Sequence, residues 1–272
     1  MKMNWKKAIS AGIMVCAAAG MLAGCGGSEK KAASSASAQK PAKIVAGLDD
    51  TFAPMGFRDD SGKIVGFDVD MAAAVSKEIG VPIEFKPIDW ASKESEISSG
   101  RIDVIWNGLT VTDERKKVLD FTDPYLNNKQ IFVVLNDSPY KSSKDLAGKN
   151  VVSQEGSTGE TAVLKQKDLK DSFGGWKVYP DFTSCFMDLE SGRADAIVGD
   201  SVLINYYMQK KPGQFRVLPE TVANEQFAVG VKKGNEALLS LINEGFKKVE
   251  ASGEAKKISE KWFGTDLSVK AK

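Results

Sequence analysis

Apolar and polar positions along this chain follow two rhythms that take turns. Residues 43–47 form a short apolar run that predicts a strand. From 67 to 79 the apolar positions include Phe67, Met71, Ala74, Val75 and Ile79, the spacing of one helix face, and Gly80 suits the helix end. Residues 83–87 read as a strand, 91–99 as a short helix closed by Gly100, and 103–106 as another strand. A second run repeats the style. It predicts strands at 130–135 and 150–153, a helix at 158–167, a strand at 177–179 and a helix at 182–191. A strand at 194–198, a helix at 201–210 and strands at 215–218 and 227–231 follow. The last forty residues read as helical, with Leu238, Leu239, Ile242, Phe246 and Val249 on one stripe. Strands alternating with helices predict an α/β fold in which helices cover a sheet.

The first residues have a different character. Lys2, Lys6 and Lys7 precede a mostly apolar stretch from 8 to 22, which ends in Leu22-Ala23-Gly24-Cys25. This is the layout of a signal peptide, and the run is too short for a standard membrane span. An ordinary cleaved signal that happens to contain a cysteine is one reading. Small residues directly before a cysteine also resemble a bacterial lipobox, which implies cleavage before Cys25 and lipid on its thiol. Residues 26–42 contain no large apolar side chain, so they bury too little to offset chain ordering, and their Gly, Ser and Ala content is that of a flexible linker. The expected organisation is a signal peptide at 1–24, a lipidated linker at 25–42 and a folded part from about Lys43.

Composition narrows the function. The folded remainder suits one large domain or two small ones. The net charge is +1, and loss of residues 1–24 removes three lysines and no acid, leaving −2. Such a balance gives no electrostatic case for nucleic acid. Cys16 leaves with the signal and Cys25 takes the lipid, so Cys185 is alone and reads as a small buried hydrophobe. The chain has no histidine, which removes the commonest general base and metal ligand and weighs against a hydrolase.

Candidate chemistry sits in loops at the carboxyl ends of predicted strands, where open α/β sheets bind ligands. These loops are Leu48 to Pro54, Asn107 to Arg115, Gln154 to Gly159, and Gly199-Asp200-Ser201. Thr112 can cap a helix that carries Asp113 and Glu114 in its first turn. Arg115 then has two readings: a fork of donors for a carboxylate, or a surface ion pair with Asp113 or Asp120. The Gln154–Gly159 loop opens a helix whose free N–H groups suit an anion. It lacks the lysine of a phosphate-binding GxxxxGK[ST] loop, and Ser157 is equally a plain helix cap. Asp200 is either an N-cap or a carboxylate aimed at a ligand ammonium.

Several ordered motifs together carry a resemblance. Gly108-x-Thr110-x-Thr112-x-x-Arg115, then Asp120-Phe121-Thr122-x-Pro124-Tyr125, resembles the polar amino-acid branch of the bacterial periplasmic (extracellular) solute-binding proteins. So do Gly66-Phe67-Asp68-Val69-Asp70, Gly192-Arg193-Ala194-Asp195-Ala196 with Asp200, and Lys261-Trp262-Phe263-Gly264. The resemblance spans about residues 43–264. It implies a type II fold of two α/β lobes that close on the ligand. The first lobe would be 43–126 plus 225–272, with 127–224 as the second and crossing strands near 125–129 and 221–226 as the hinge.

Residue by residue, the resemblance implies that Arg115 holds a ligand α-carboxylate, with Thr110 and the backbone at Ser157 or Thr158. Asp200 would take the α-ammonium, helped by the Gly108 carbonyl. Asp49 would face the ligand side chain, and Phe52 and Trp90 would sandwich its aliphatic or cationic part, although both aromatics also suit a core. Gly66 to Asp70 would shape the lobe rather than touch ligand. Asn107 and Gln154 occupy positions that vary among relatives. Asp49 and Asp50 with Phe52 and Trp90 suit a basic side chain, and equally an amide or a cystine ammonium, so arginine, lysine, cystine and glutamine are the expected ligands. The implied protein is a monomer without cofactor, working with an ABC-type permease. The competing readings are an enzyme on the same scaffold, such as a dehydratase, and a ligand sensor that signals through a separate partner.

Overall fold

The computed structural model describes residues 40–269. The leader and most of the tether, including Cys16 and Cys25, lie outside the described residues. The chain opens with β1 (Ile44–Leu48), the short β2 (Thr51–Phe52), β3 (Gly56–Arg58) and β4 (Ile64–Val65), then α1 (Phe67–Ile79) and β5 (Ile83–Pro87). Next come α2 (Lys93–Ser98), β6 (Val104–Ile105), β7 (Leu119–Phe121) and the long β8 (Leu126–Leu135). The middle of the chain holds β9 (Asn150–Gln154), α3 (Thr158–Lys165), α4 (Lys167–Ser172), β10 (Gly175–Tyr179), α5 (Phe182–Glu190), β11 (Ala196–Asp200) and α6 (Ser201–Lys210). It closes with β12 (Phe215–Phe227), β13 (Gly230–Lys232), α7 (Glu236–Ala251) and α8 (Glu254–Phe263).

Two five-stranded sheets organise these elements, each the centre of one lobe. The first has the order β5-β1-β6-β13-β7 and the second β10-β9-β11-β8-β12. In the first, β1 runs parallel to β5 and β6, while β13 returns antiparallel to β6 and β7. In the second, β9 is parallel to β10 and β11, and β8 is antiparallel to β11 and β12. Because β13 follows the whole second sheet in sequence yet sits inside the first, the first sheet is built from two separate stretches of chain. Strands β8 and β12 form the longest ladder, from Leu126↔Phe227 to Leu135↔Phe215.

The helices form where the sequence prepares them. Helix α1 buries Phe67, Met71, Ala72, Val75 and Ile79, and Gly80 closes it in the left-handed conformation. Helix α7 packs Leu238, Ile242, Phe246 and Val249 inward, with Gly245 against Val75 and Ile79 of α1. Cys185 is a free, fully buried thiol on α5. Among the described residues no helix is long and apolar enough to cross a membrane.

The strand expected at 227–231 is split between the end of β12 and β13, β7 had no sequence signal, and three further departures have a plain physical reason. The strand at 215–218 continues to Phe227. Pro219 marks a strand end by sequence, but β12 lies at the sheet edge, where a missing N–H is tolerated, and the register shifts between Val217 and Thr221. Residues 158–167 are a helix only to Lys165, and a second helix, α4, follows. The β2-β3-β4 sheet was invisible because its strands are two or three residues long, too short for any periodicity.

Candidate functional site

Each loop named above is held by its own local chemistry. After β1, the Asp49 carboxylate accepts from the Thr51 backbone N–H at 2.9 Å and its hydroxyl at 2.6 Å. Burial raises the Asp49 carboxyl above the usual range, while the Thr51 and Gln154 hydrogen bonds oppose this. After β6, Gly108 adopts φ 57° and donates its N–H to Asp68 Oδ2 at 2.7 Å. A Cβ there would lie 2.9 Å from the Phe52 ring and 3.2 Å from Phe227, so only glycine lets these aromatics close on the loop. Burial pushes the Asp68 carboxyl up to about 7.

Arg115 begins a single helical turn whose start is fixed by the Thr112 hydroxyl, which accepts from the Arg115 N–H at 3.1 Å. The two carboxylates that could have held Arg115 at the surface are taken by lysines: Asp113 by Lys116 and Asp120 by Lys233. Arg115 instead turns inward and is only 8% exposed. Its guanidinium donates to the Thr110 carbonyl at 2.9 Å and across the cleft to the Gly156 carbonyl at 3.3 Å. Glu94 stands 3.7 Å from its Nε.

On the second lobe, Ser157 caps α3 by accepting from the Glu160 N–H at 3.0 Å, and Gly156 donates its own N–H to Glu160 Oε2 at 2.7 Å. Asp200 stands at the N-cap position of α6, yet its side chain makes no capping bond. It points inward and accepts from Asn128 Nδ2 at 2.6 Å and Gln130 Nε2 at 2.8 Å. Burial first, and Glu225 second, push its carboxyl up to about 8.

Phe52, Trp90, Asn107, Gly108, Thr110, Arg115, Gln154, Ser157, Thr158 and Asp200 line one cavity between the lobes. Every expected ligand-binding residue except Asp49 is on that wall, and Asp49 sits one bond behind it, accepting from Gln154 Nε2 at 2.7 Å. Phe52 and Trp90 serve both readings: both face the cavity, while Phe52 also packs against Phe182 of the second lobe, ring centres 5.9 Å apart, and Trp90 lies in an apolar cluster with Ile97, Ile102 and Leu109. The free volume is about 10 Å³, room for about one water. The two sides meet directly through Gln154–Asp49, Arg115–Gly156 and a 3.3 Å contact between the Thr110 and Thr158 hydroxyls.

Four polar residues of this region escaped the sequence reading: Lys93, Asn128, Gln130 and Glu225. Lys93 is 2% exposed, lies 4.9 Å from the Trp90 ring centre, and donates to the Trp90 carbonyl at 3.1 Å and the Gly156 carbonyl at 3.0 Å. Burial, then the nearby Arg115, push its ammonium down to about 8. Asn128 and Gln130 do carry a signal. They alternate with exposed Asn127 and Lys129 along β8 and continue the buried face of Leu126, an arrangement that marks a polar pair on the inner face of a strand.

Two α/β lobes with a buried cation on one wall and a buried carboxylate on the other define a binding protein that encloses a small dipolar solute. The profile of the bacterial extracellular solute-binding proteins, family 3, matches residues 44–265, and the chain belongs to that family. It is 34% identical to the probable histidine-binding protein of Neisseria gonorrhoeae, over 99% of this chain and 100% of the relative. It is 33% identical to the L-cystine-binding protein TcyJ of Escherichia coli K12, over 83% of this chain and 84% of the relative. Among solved structures, it is similar to an ABC uptake transporter substrate-binding protein from Streptococcus pneumoniae with bound histidine. The TM-score there is 0.81 at 36% identity, covering 84% of this chain and 95% of that one. An ancestral arginine-binding protein bound to arginine superposes with a TM-score of 0.77 at 41% identity, covering 82% and 99%. The fold is the two-lobed type II periplasmic-binding-protein fold, with the site in the cleft between the lobes.

Proposed function

We propose that this chain captures a polar or positively charged α-amino acid and passes it to an ABC-type permease, without catalysing a reaction. The observation that carries the reading is the split of charge across the cleft: Arg115 on the first lobe and Asp200 on the second, 8% and 5% exposed. An amino acid carries a carboxylate and an ammonium a few bonds apart, so it satisfies both walls at once. In this reading Arg115 takes the carboxylate, with Thr110 and the backbone at Ser157 or Thr158. Asp200 and the Gly108 carbonyl take the ammonium. Asp49 and Gln154 meet the side chain, and Phe52 and Trp90 cover its apolar or cationic part. Arginine, lysine, cystine and glutamine fit this chemistry, and the names of the relatives add histidine.

The lobes are proposed to comprise 43–126 with 225–272, and 127–224, bending near 125–129 and 221–226. The β8–β12 ladder at Asn128↔Glu225 supports a hinge there. A ligand that bridges both lobes binds the closed form better, and that difference in affinity drives closure.

A thermal-shift screen of the common amino acids tests the ligand class. Ligand at about a hundred times Kd stabilises by about 2.7 kcal/mol, a rise of roughly 5–10 °C in Tm for a domain of this size. Response to at least one of the polar or basic amino acids named above is expected. A response confined to leucine and valine would sink the assignment.

The protein is further proposed to act as a monomer outside the cytoplasm, tethered by lipid on Cys25 after removal of residues 1–24. Cys25→Ala is expected to release the protein from membranes or to block its processing, as read by fractionation and mass spectrometry. Normal processing with undiminished membrane association of that variant would remove the lipid anchor.

A further inference from the structure

Around Asp200 the cleft holds one more carboxylate than a ligand ammonium requires. Glu225 lies on β12 opposite Asn128 of β8. Its Oε2 accepts from Thr110 Oγ1 at 3.0 Å, Asn128 Nδ2 at 3.1 Å and Gln130 Nε2 at 3.0 Å. The same two amides donate to Asp200 Oδ1, at 2.6 and 2.8 Å. The two distances to Asn128 Nδ2 bound the gap between the carboxylate oxygens at their sum, 5.7 Å. At such a separation two carboxylates disfavour double ionisation, and one tends to keep a proton.

Counting hydrogens leads the same way. Gln130 Nε2 is within hydrogen-bonding reach of three oxygens, those of Asp200, Glu225 and Thr158, the last at 3.1 Å. An amide supplies only two hydrogens. Gln130 is fully buried, and its Oε1 has no partner among the described residues. Turning the amide over would place an acceptor against two carboxylates and make matters worse unless one of them carries a hydrogen. With the amide turned over, a carboxylic O–H in the cluster gives Gln130 Oε1 the donor it otherwise lacks.

We propose that Glu225 is a positioning residue for ligand capture: it holds a proton on Asp200 while no cation lies beside them, and binding of an amino acid's ammonium releases that proton. The inference rests on the assignment of Asp200 to the ligand ammonium. On binding, the carboxylic O–H bond breaks, the proton passes to solvent buffer, and the freed carboxylate pairs with the ammonium. Glu225 does not line the cavity. It acts through Asp200 and through the Thr110 hydroxyl that it orients.

The groups facing the pair come from every neighbouring element. Strand β8 gives Asn128 and Gln130, α3 gives Thr158, and α6 gives Ser201, whose hydroxyl donates to Asn128 Oδ1 at 3.1 Å. The loop after β6 gives Thr110. The turn at Arg115 gives a cation, itself beside Glu94 of α2. Arg115 pulls the Asp200 carboxyl down, but burial and Glu225 outweigh it and leave it near 8. Below that pH, affinity for an ammonium rises with pH by up to about tenfold per unit. Ligand-free stability moves the other way. The folded protein keeps a proton that the unfolded carboxyl releases near 3.8, so this contribution is complete below that pH and is lost as pH rises towards about 8.

The test compares the wild type with Glu225→Gln, a near-isosteric change. L-Arginine, L-cystine and L-glutamine are titrated calorimetrically between pH 6 and 8, in buffers of different ionisation enthalpy. For each that binds, the wild type is expected to release about one proton at pH 6.5 and to bind on the order of tens-fold tighter at pH 8 than at pH 6. In Glu225→Gln the proton release at pH 6.5 is smaller and the pH dependence moves to lower pH, because burial still raises Asp200 but Glu225 no longer does; a purely structural role would not produce this. Equal proton release and equal pH slopes in the two proteins would overturn the proposal. A ligand-free arm follows the carboxyl carbons of 13C-labelled aspartate by NMR. The assigned Asp200 resonance titrating near pH 8 in the wild type, and lower in Glu225→Gln, supports the held proton. An Asp200 resonance titrating below about pH 5 overturns it. If none of the three amino acids binds, the ligand assignment fails on its own, and the NMR titration of Asp200 still decides the held proton.

Discussion

Arg115→Ala is expected to weaken binding of the tightest amino-acid ligand by about 30-fold to a few thousand-fold, the equivalent of about 2–5 kcal/mol for truncating one partner of a buried charge pair. The guanidinium is buried and offers a planar fork that matches a carboxylate; Asp113 and Asp120 are bound by lysines, and the partly exposed Glu94 stands 3.7 Å from its Nε. The lower end of the range reflects Lys93, whose ammonium lies 3.0 Å from the same Gly156 carbonyl that Arg115 reaches and keeps one cation near that pole. Calorimetry on protein with an unchanged circular dichroism spectrum is the measurement. Near-normal affinity would return Arg115 to the role of an interlobe structural contact.

The second large effect concerns the fold. Gly66→Ala is expected to cost on the order of 3 kcal/mol or more, read from denaturant unfolding. Gly66 has φ 146° and ψ 173°, a region that side-chain-bearing residues scarcely visit. A Cβ there would lie 2.3 Å from the Met55 carbonyl oxygen and 2.9 Å from the Gly56 Cα, and backbone cannot swing aside as a side chain can. The tight approach starts α1: Phe67 and Asp68 donate their N–H groups to Pro54 and Met55, which aims the Asp68 carboxylate at the Gly108 N–H. A midpoint within a few tenths of a kcal/mol of wild type would show that this backbone relaxes freely.

What the sequence disclosed, and what it hid, follows from the range of the interactions involved. Helices α1 and α6 were legible because period and termini are local: five apolar residues on one face and Gly80 for α1, and Ser201 after Asp200 for α6. Strand β12 runs past the expected 215–218 and through Pro219, because at the sheet edge a missing N–H leaves no ladder bond unmade. Arg115 and Asp200 were found as residues but not as orientations. Spacing allowed each a surface or capping role, and the choice depended on Lys116, Lys233, Asn128 and Gln130, the last two 72 and 70 residues from Asp200. Lys93 and Glu225 were missed for the same reason. In its own helix or strand each is an ordinary charged residue, and its setting exists only once distant chain arrives, Gly156 for Lys93 and Thr110 for Glu225.

Amino acids bring bulk as well as charge, and the cleft has about 10 Å³ to spare. Gln154 against Asp49 and Arg115 against Gly156 join the two walls directly. A bound solute replaces these contacts with its own, so the length of its side chain sets how far the two rims can approach around it.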